Sequence, residues 1–178
     1  MGNNIQAVAY LHQGLQLVEK LDLKEEEAKI RHFLGLALWR HGDLESAQAN
    51  LEKSSDLLET IRLSVQKTSS EYSISLFDKQ IASYQALQRI LVAMGRTEVA
   101  LLVAEKSRTL ANATLLNGKE RSALGSTTFT TTSKVPPLLI TSVETLIQKV
   151  DRHRVAVLYY SVSGDYLYSW LLIPERGK

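Results

Sequence analysis

At 178 residues, with 44% apolar and 22% charged side chains, the chain has the make-up of a globular protein able to bury a continuous core. Its 21 basic and 19 acidic residues leave a formal net charge of +2 with no dense basic run, so nucleic acid is not an expected partner. Cysteine is absent, which excludes disulfides, thiolate metal sites and a cysteine nucleophile within these residues and fits a reducing compartment. The polar stretch Met1 to Ala9 lacks the charged-then-apolar order of a signal peptide. No apolar run approaches the roughly 20 residues that a membrane helix needs. The expected setting is cytoplasmic, away from membranes.

Taken in chain order, Val8, Leu11, Leu15, Val18 and Leu21 recur every three or four positions and predict a helix from Asn4 to about Leu23. A charged elbow, Asp22 to Glu27, leads into a second helix ending at His41, with Ile30, Phe33, Leu34, Ala37 and Leu38 expected inward. Gly42 breaks that helix, because glycine enters the left-handed backbone of a helix exit at little cost. Asp43 follows as the expected N-cap of a third helix, its carboxylate accepting orphan amides. That helix carries Leu44, Ala47, Leu51, Leu57, Leu58 and Ile61, and the polar stretch Thr60 to Glu71 is expected to bend or fray. A long amphipathic helix from Glu71 to Met94 places Phe77, Ile81, Tyr84, Leu87, Leu91 and Met94 on one stripe. Its partner is expected from Glu98 to about Leu116, with Thr97 as cap.

Composition shifts after Asn117-Gly118. Ser126 to Ser133 is nearly all Ser and Thr, and Pro136-Pro137 closes the segment, which reads as an exposed linker. A short helix, Ser142 to Val150, comes next. The period then drops to two: Val155, Val157 and Tyr159, a Ser163-Gly164-Asp165 turn, and Tyr166 to Ile173 predict a β-hairpin. Trp170, alternating with Tyr168 and Leu172, marks the expected core face, and Pro174 stops the second strand. A lone hairpin is marginally stable in water, so this one is expected to pack on the helices or on further chain. The expected boundaries are helical repeats over 1–120, a Ser/Thr/Pro linker over 121–140, and a separate unit over 141–178.

The glycine turns are regular. Gly42 is followed five residues later by Ala47, Gly95 by Ala100, and Gly2 by Ala7. Ahead of Gly42 stand Leu34 and Gly35; ahead of Gly95 the same frame holds Leu87, with Gln88 in the glycine slot. This is the tetratricopeptide pattern, two antiparallel helices per unit, with turns spaced more widely than the about 34 residues of the standard repeat. Such units bury their apolar faces by stacking on neighbours. The fold class expected is mainly α, a solenoid of antiparallel helix hairpins ending in a β-hairpin.

Two regions together resemble a known family. The repeat region reads Leu34-Gly35, Trp39, Gly42 and Ala47, then Ser83-Tyr84-Gln85-Ala86-Leu87-Gln88-Arg89 and Ala104-Glu105-Lys106-Ser107-Arg108. The C-terminal region reads Val157-Leu158-Tyr159-Tyr160-Ser161 and Tyr166-Leu167-Tyr168-Ser169-Trp170-Leu171-Leu172. Nearly the whole chain is similar to the tetratricopeptide repeat protein 28-like family, at the junction where a long repeat array meets a caspase-like CHAT domain. The resemblance implies that residues 141–178 are the N-terminal fragment of a CHAT α/β unit. It further implies a scaffold linked to the cytoskeleton and to cell division. Some CHAT domains are proteases using a His-Cys pair, which in the family pattern lies beyond the first strands. With no cysteine present, nothing catalytic carries over to this chain. The alternative reading is the N-terminal portion of a CHAT peptidase whose catalytic half is absent here.

Other chemistry finds little support. His12, His32, His41 and His153 are scattered and lack metal-ligand spacing. His153, Ser161 and Asp165 lack the strained nucleophile turn and oxyanion donors of a triad. Gly118-Lys119 lacks the remaining positions of a phosphate loop. Asn112-Ala113-Thr114 is a formal glycosylation sequon inside an expected helix. No enzymatic activity, cofactor or metal is expected. Stacked repeats of this type bind extended peptides or helices along the first helix of each unit. On that concave face the frame places His32, Leu36, Trp39 and Arg40 in one unit and Gln85, Arg89 and Val92 in the next. The Lys and Asn pair that clamps a chaperone's terminal carboxylate is missing. Trp39 is expected chiefly as a packing residue, and the two arginines suit an acidic, partly apolar protein segment. The expected protein-binding residues are therefore His32, Trp39, Arg40, Gln85 and Arg89, with the oligomeric state left open.

Overall fold

A computed structural model describes residues 2–65, 70–123 and 143–174. The elements in order are α1 (Gly2–Lys20), α2 (Lys24–His41), α3 (Leu44–Ser64), α4 (Ser70–Ala93), α5 (Thr97–Ala123), α6 (Val143–His153), β1 (Val157–Ser163) and β2 (Tyr166–Leu172). Helices α1 to α5 pack consecutively, each against the next, so the solenoid reading holds: two full helix pairs, α2/α3 and α4/α5, preceded by the single helix α1. Among the described residues, no helix is long and apolar enough to cross a membrane.

The two inter-helix turns within the pairs repeat one design. Gly42 takes φ +93°, its N–H donates to the Trp39 carbonyl at 3.0 Å, and the Asp43 N–H reaches the Leu38 carbonyl at 3.0 Å. Gly95 takes φ +74°, donates to Val92 at 3.0 Å, and Arg96 N–H reaches Leu91 at 2.8 Å. This paired bonding satisfies the last helical carbonyls and requires a left-handed residue at the exit, which is why both positions are glycine. Asp43 then caps α3, its Oδ1 accepting the Ser46 N–H at 3.0 Å.

Helix contact follows the frame. Ala47 and Ala100 are fully buried, and Leu34, Leu51, Ile90 and Leu91 are fully buried around them. At Gly35 an added Cβ would lie 2.7 Å from Leu51 Cγ and 3.1 Å from the Ala47 carbonyl oxygen, so α2 and α3 touch backbone to side chain there. Between pairs, Glu25 on α2 accepts from Lys79 Nζ at 2.5 Å and from Tyr72 Oη at 2.7 Å on α4. Those bonds, Lys79 foremost, hold the Glu25 carboxyl below its usual range.

Several sequence expectations are corrected. Phe33 is 48% exposed rather than inward, and Leu21 lies beyond the end of α1 and is exposed. Helix α3 continues through Thr60 to Ser64. Thr97 is the first residue of α5 rather than its cap, and α5 runs through Gly118 to Ala123, into the expected linker. One glycine costs a long helix only about 1 kcal/mol, so the shift in composition there did not mark its end. The rest of the expected linker, including Ser126 to Ser133 and Pro136-Pro137, lies outside the described residues.

Strands β1 and β2 pair antiparallel, Tyr159 opposite Trp170 and Ser163 opposite Tyr166, across a two-residue turn with Gly164 at φ +59°. Alternation sorts the side chains as expected. Tyr159, Ser161, Ser163, Tyr168, Trp170 and Leu172 sit half-buried or buried, while Leu158, Tyr160, Val162, Leu167 and Leu171 are exposed.

Candidate protein-interaction site

Helices α2 and α4, the first of each pair, lie side by side and carry all five expected binding residues. Trp39 sits one turn before the end of α2. Across from it on α4, the Arg89 guanidinium lies over the Trp39 ring, Cζ 4.4 Å from the centroid. The same Cζ also lies 5.6 Å from the centroid of the Tyr166 ring. Arg89 is therefore in cation–π contact with two aromatic rings, one from α2 and one from β2, an arrangement driven by the ring quadrupoles and favoured by partial desolvation. Its Nε–H is buried and donates to no partner among the described residues, which leaves the rings as its main support.

The hairpin turn rests on this cation. A Cβ added at Gly164 would lie 3.5 Å from Arg89 Nη1, so the turn sits beside the guanidinium with space between them for little more than a methyl group. Ser163 Oγ donates to the Gln85 backbone carbonyl at 3.1 Å, and Ser161 Oγ donates to Gln88 Oε1 at 2.9 Å. Further along, Trp170 Nε1 donates to the Thr97 carbonyl at 2.9 Å and its ring joins the main core. At the far end of β1 the Arg108 guanidinium lies 5.4 Å over the Tyr159 ring, paired with Glu105 on its own helix. Burial of Tyr159 pushes its hydroxyl pKa up.

His32 occupies a separate position on the same side. Its Nδ1 lies 3.0 Å from Ser83 Oγ, which is 3.2 Å from Ser54 Oγ, and Ser54 donates to the Ala28 carbonyl at 2.8 Å. This chain of hydroxyls links α2, α3 and α4, and burial lowers the imidazole pKa. Arg40, next to Trp39, is exposed to solvent.

The structure thus brings Trp39, Gln85 and Arg89 together, leaves Arg40 at the solvent edge, and turns His32 into the interior hydroxyl chain. Gln85 contributes its backbone carbonyl rather than its side chain. Sequence reasoning missed Gln88, Ser161, Ser163, Tyr166 and Thr97 as contacts of this face. Only Gln88 carried a signal, as a long polar residue in a glycine slot. Ser161, raised beside His153 and Asp165 as a triad element, instead donates its hydroxyl to Gln88. Among the described residues, no group of His, Asp and Glu is placed to hold a metal ion.

The chain is 46% identical over 157 residues to tetratricopeptide repeat protein 28 of Mus musculus, covering 88% of this chain. It is 46% identical over 154 residues to tetratricopeptide repeat protein 28 of Homo sapiens, covering 86% of this chain. It spans about 6% of the length of either relative. No protein-family profile matches the chain, and no solved structure matches it.

Proposed function

We infer, from a chain that belongs to a tetratricopeptide repeat protein 28-like family, that it serves as a protein-interaction scaffold. The family name and the stacked helix pairs both support that level of description. The finer reading is a non-enzymatic adaptor whose concave face, through Trp39, Arg40, Gln85 and Arg89, receives an acidic and partly apolar segment of another protein. The observation that carries it is the stacking of Arg89 on Trp39 where α2 and α4 meet. Arg40, the next residue of α2, is an exposed cation at its edge. Paired with a carboxylate at that edge, Arg40 contributes modestly to affinity and more to orientation, because rim charges remain solvated.

The test is selection of peptides on the purified chain from a random library, followed by titration of the winners. Peptides combining Asp or Glu with apolar residues are expected. Arg40→Glu should weaken them by about 1 kcal/mol or less, as for a rim pair, and added salt should weaken them further. Selection of peptides with no acidic bias, bound equally by Arg40→Glu, would remove the reading. Cytoplasmic location, with association to the cytoskeleton in dividing cells, is part of the same proposal and is checked by imaging a tagged chain.

One observation favours a second reading, that the hairpin opens a larger CHAT-type α/β unit. The hairpin's outer face exposes Leu158, Tyr160, Val162, Leu167 and Leu171, each at least 60% accessible. A strand pair apolar on both faces suits burial on both. Within the full-length product of its gene these side chains should be protected from solvent, and a peptidase assay of that product tests the enzymatic alternative.

A further inference from the structure

We propose that the concave groove is occupied in cis. The Ser163-Gly164-Asp165-Tyr166 turn is the ligand of the α2/α4 face, Arg89 is the clamp that holds it, and a partner reaches Trp39 and Gln85 when the turn lifts away.

Three residues of the turn and one of β1 meet the face. Gly164 lies against Arg89 Nη1 at a distance that leaves room for no more than a methyl group, and φ +59° demands glycine in any case. The Tyr166 ring adds a second cation–π contact to the guanidinium that already lies over Trp39. Ser163 satisfies the Gln85 carbonyl, and Ser161 satisfies Gln88 Oε1. Each contact is small, and Tyr166 itself is 56% exposed. Trp170 and Tyr159 anchor the rest of the hairpin on α5, while the turn itself adds one cation–π contact and the Ser163 bond, so it is held on the face by proximity within one chain rather than by high intrinsic affinity. Such a contact opens readily. The same Arg89 offered to an acidic segment is, while the turn is docked, engaged by the Trp39 and Tyr166 rings with Gly164 beside it. The groove therefore exchanges one occupant for another rather than standing open.

The consequence for partners rests on the interaction reading given above, but the docking itself is measured without any partner. The full chain keeps Trp170, whose bond to Thr97 anchors the hairpin, and the chain carrying Trp39→Phe serves only as the emission blank that isolates the signal of Trp39, the other of its two tryptophans. Acrylamide quenching of Trp39 then reads access to the groove, and hydrogen exchange reads protection of the turn. Tyr166→Ala, on the hairpin side and mostly exposed, should raise the quenching constant of Trp39 at least twofold. It should also raise exchange in the β1–β2 turn at least tenfold, with helical circular dichroism unchanged. Arg89→Ala should do the same from the other side, and the double variant should add little to either alone, as partners in one contact do. Arg89→Lys, which keeps the charge but loses the planar stack, should fall between. Unchanged Trp39 quenching and unchanged turn exchange in Tyr166→Ala would overturn the proposal. So would full additivity of the two substitutions. If instead docking is established this way while the acidic peptides fail to bind, the partner reading falls and the cis contact stands.

Discussion

Replacing Gly35 by alanine isolates the contact on which the repeat frame depends. In an open helix the change would stabilise, since glycine in a helix interior costs roughly 0.5–1 kcal/mol relative to alanine. Here the new methyl would meet Leu51 Cγ at 2.7 Å, Leu51 Cδ2 at 3.2 Å and the Ala47 carbonyl oxygen at 3.1 Å. Carbon pairs prefer about 3.5–4.0 Å, so Leu51 has to retreat by close to 1 Å. Leu51 is fully buried and the Ala47 carbonyl belongs to a helix, so neither yields without moving α3 away from α2. Overpacking of this kind costs about 1–3 kcal/mol, and subtracting the propensity gain leaves a net loss of roughly 0.5–2 kcal/mol. For a domain of this size that lowers the melting temperature by about 1–8 °C. The assay is thermal unfolding by circular dichroism with the wild type alongside. The sign decides: a rise of a few degrees in Gly35→Ala would mean that α2 and α3 do not meet at this residue, and the assignment of Gly35 and Ala47 to facing slots would be wrong.

Two further outcomes follow from local chemistry. Asp43→Ala removes the acceptor of the Ser46 amide at the start of α3 and should cost about 0.5–2 kcal/mol, whereas Asp43→Asn should restore most of it; denaturant unfolding compares the three. Burial depresses the His32 pKa below its ordinary 6.5, so the unfolded chain takes up a proton there before the folded one does. Its contribution to stability is complete above about pH 6.5 and is lost as pH falls from there through the folded value. His32→Gln should therefore flatten the stability–pH curve below pH 6.5 relative to wild type; parallel curves would show that His32 does not titrate differently on folding.

The solenoid was legible because its decisive residues are constrained one at a time by local geometry. Gly42 and Gly95 announce left-handed helix exits, Asp43 announces a cap, and Ala47 and Ala100 mark close approaches by being small. The hairpin was legible for the same reason, through its alternation and its turn glycine. What escaped was tertiary. Phe33 shares the helical period of the core residues, yet it lands 48% exposed beside His32, because the period fixes a face only to within the width of one residue. Of the five expected site residues, the position of each on α2 or α4 was readable, but their employment was not. Ser161 and Gln88 are 73 residues apart in sequence, Ser163 and Gln85 are 78 apart, and nothing local to either partner encodes the meeting.

The exchange of glycine for glutamine between the two pairs shows why the hairpin and the helices are best understood as one structure. In α2/α3 the slot holds Gly35, and the space is taken by Leu51 from the partner helix. In α4/α5 the same slot holds Gln88, fully buried and unable to permit that approach. A buried primary amide is costly unless its polar atoms are bonded, so the substitution makes sense only with a partner outside the helix pair. Ser161 supplies one for the oxygen, giving Gln88 Oε1 its bond from β1, while Nε2 has no partner among the described residues. The last helix pair has thus given up part of a helix–helix contact and gained a helix–hairpin contact. The cis occupation of the groove grows from that exchange: Gln88 engages the strand, while the neighbouring Arg89 and, one helical turn earlier, Gln85 hold the hairpin turn.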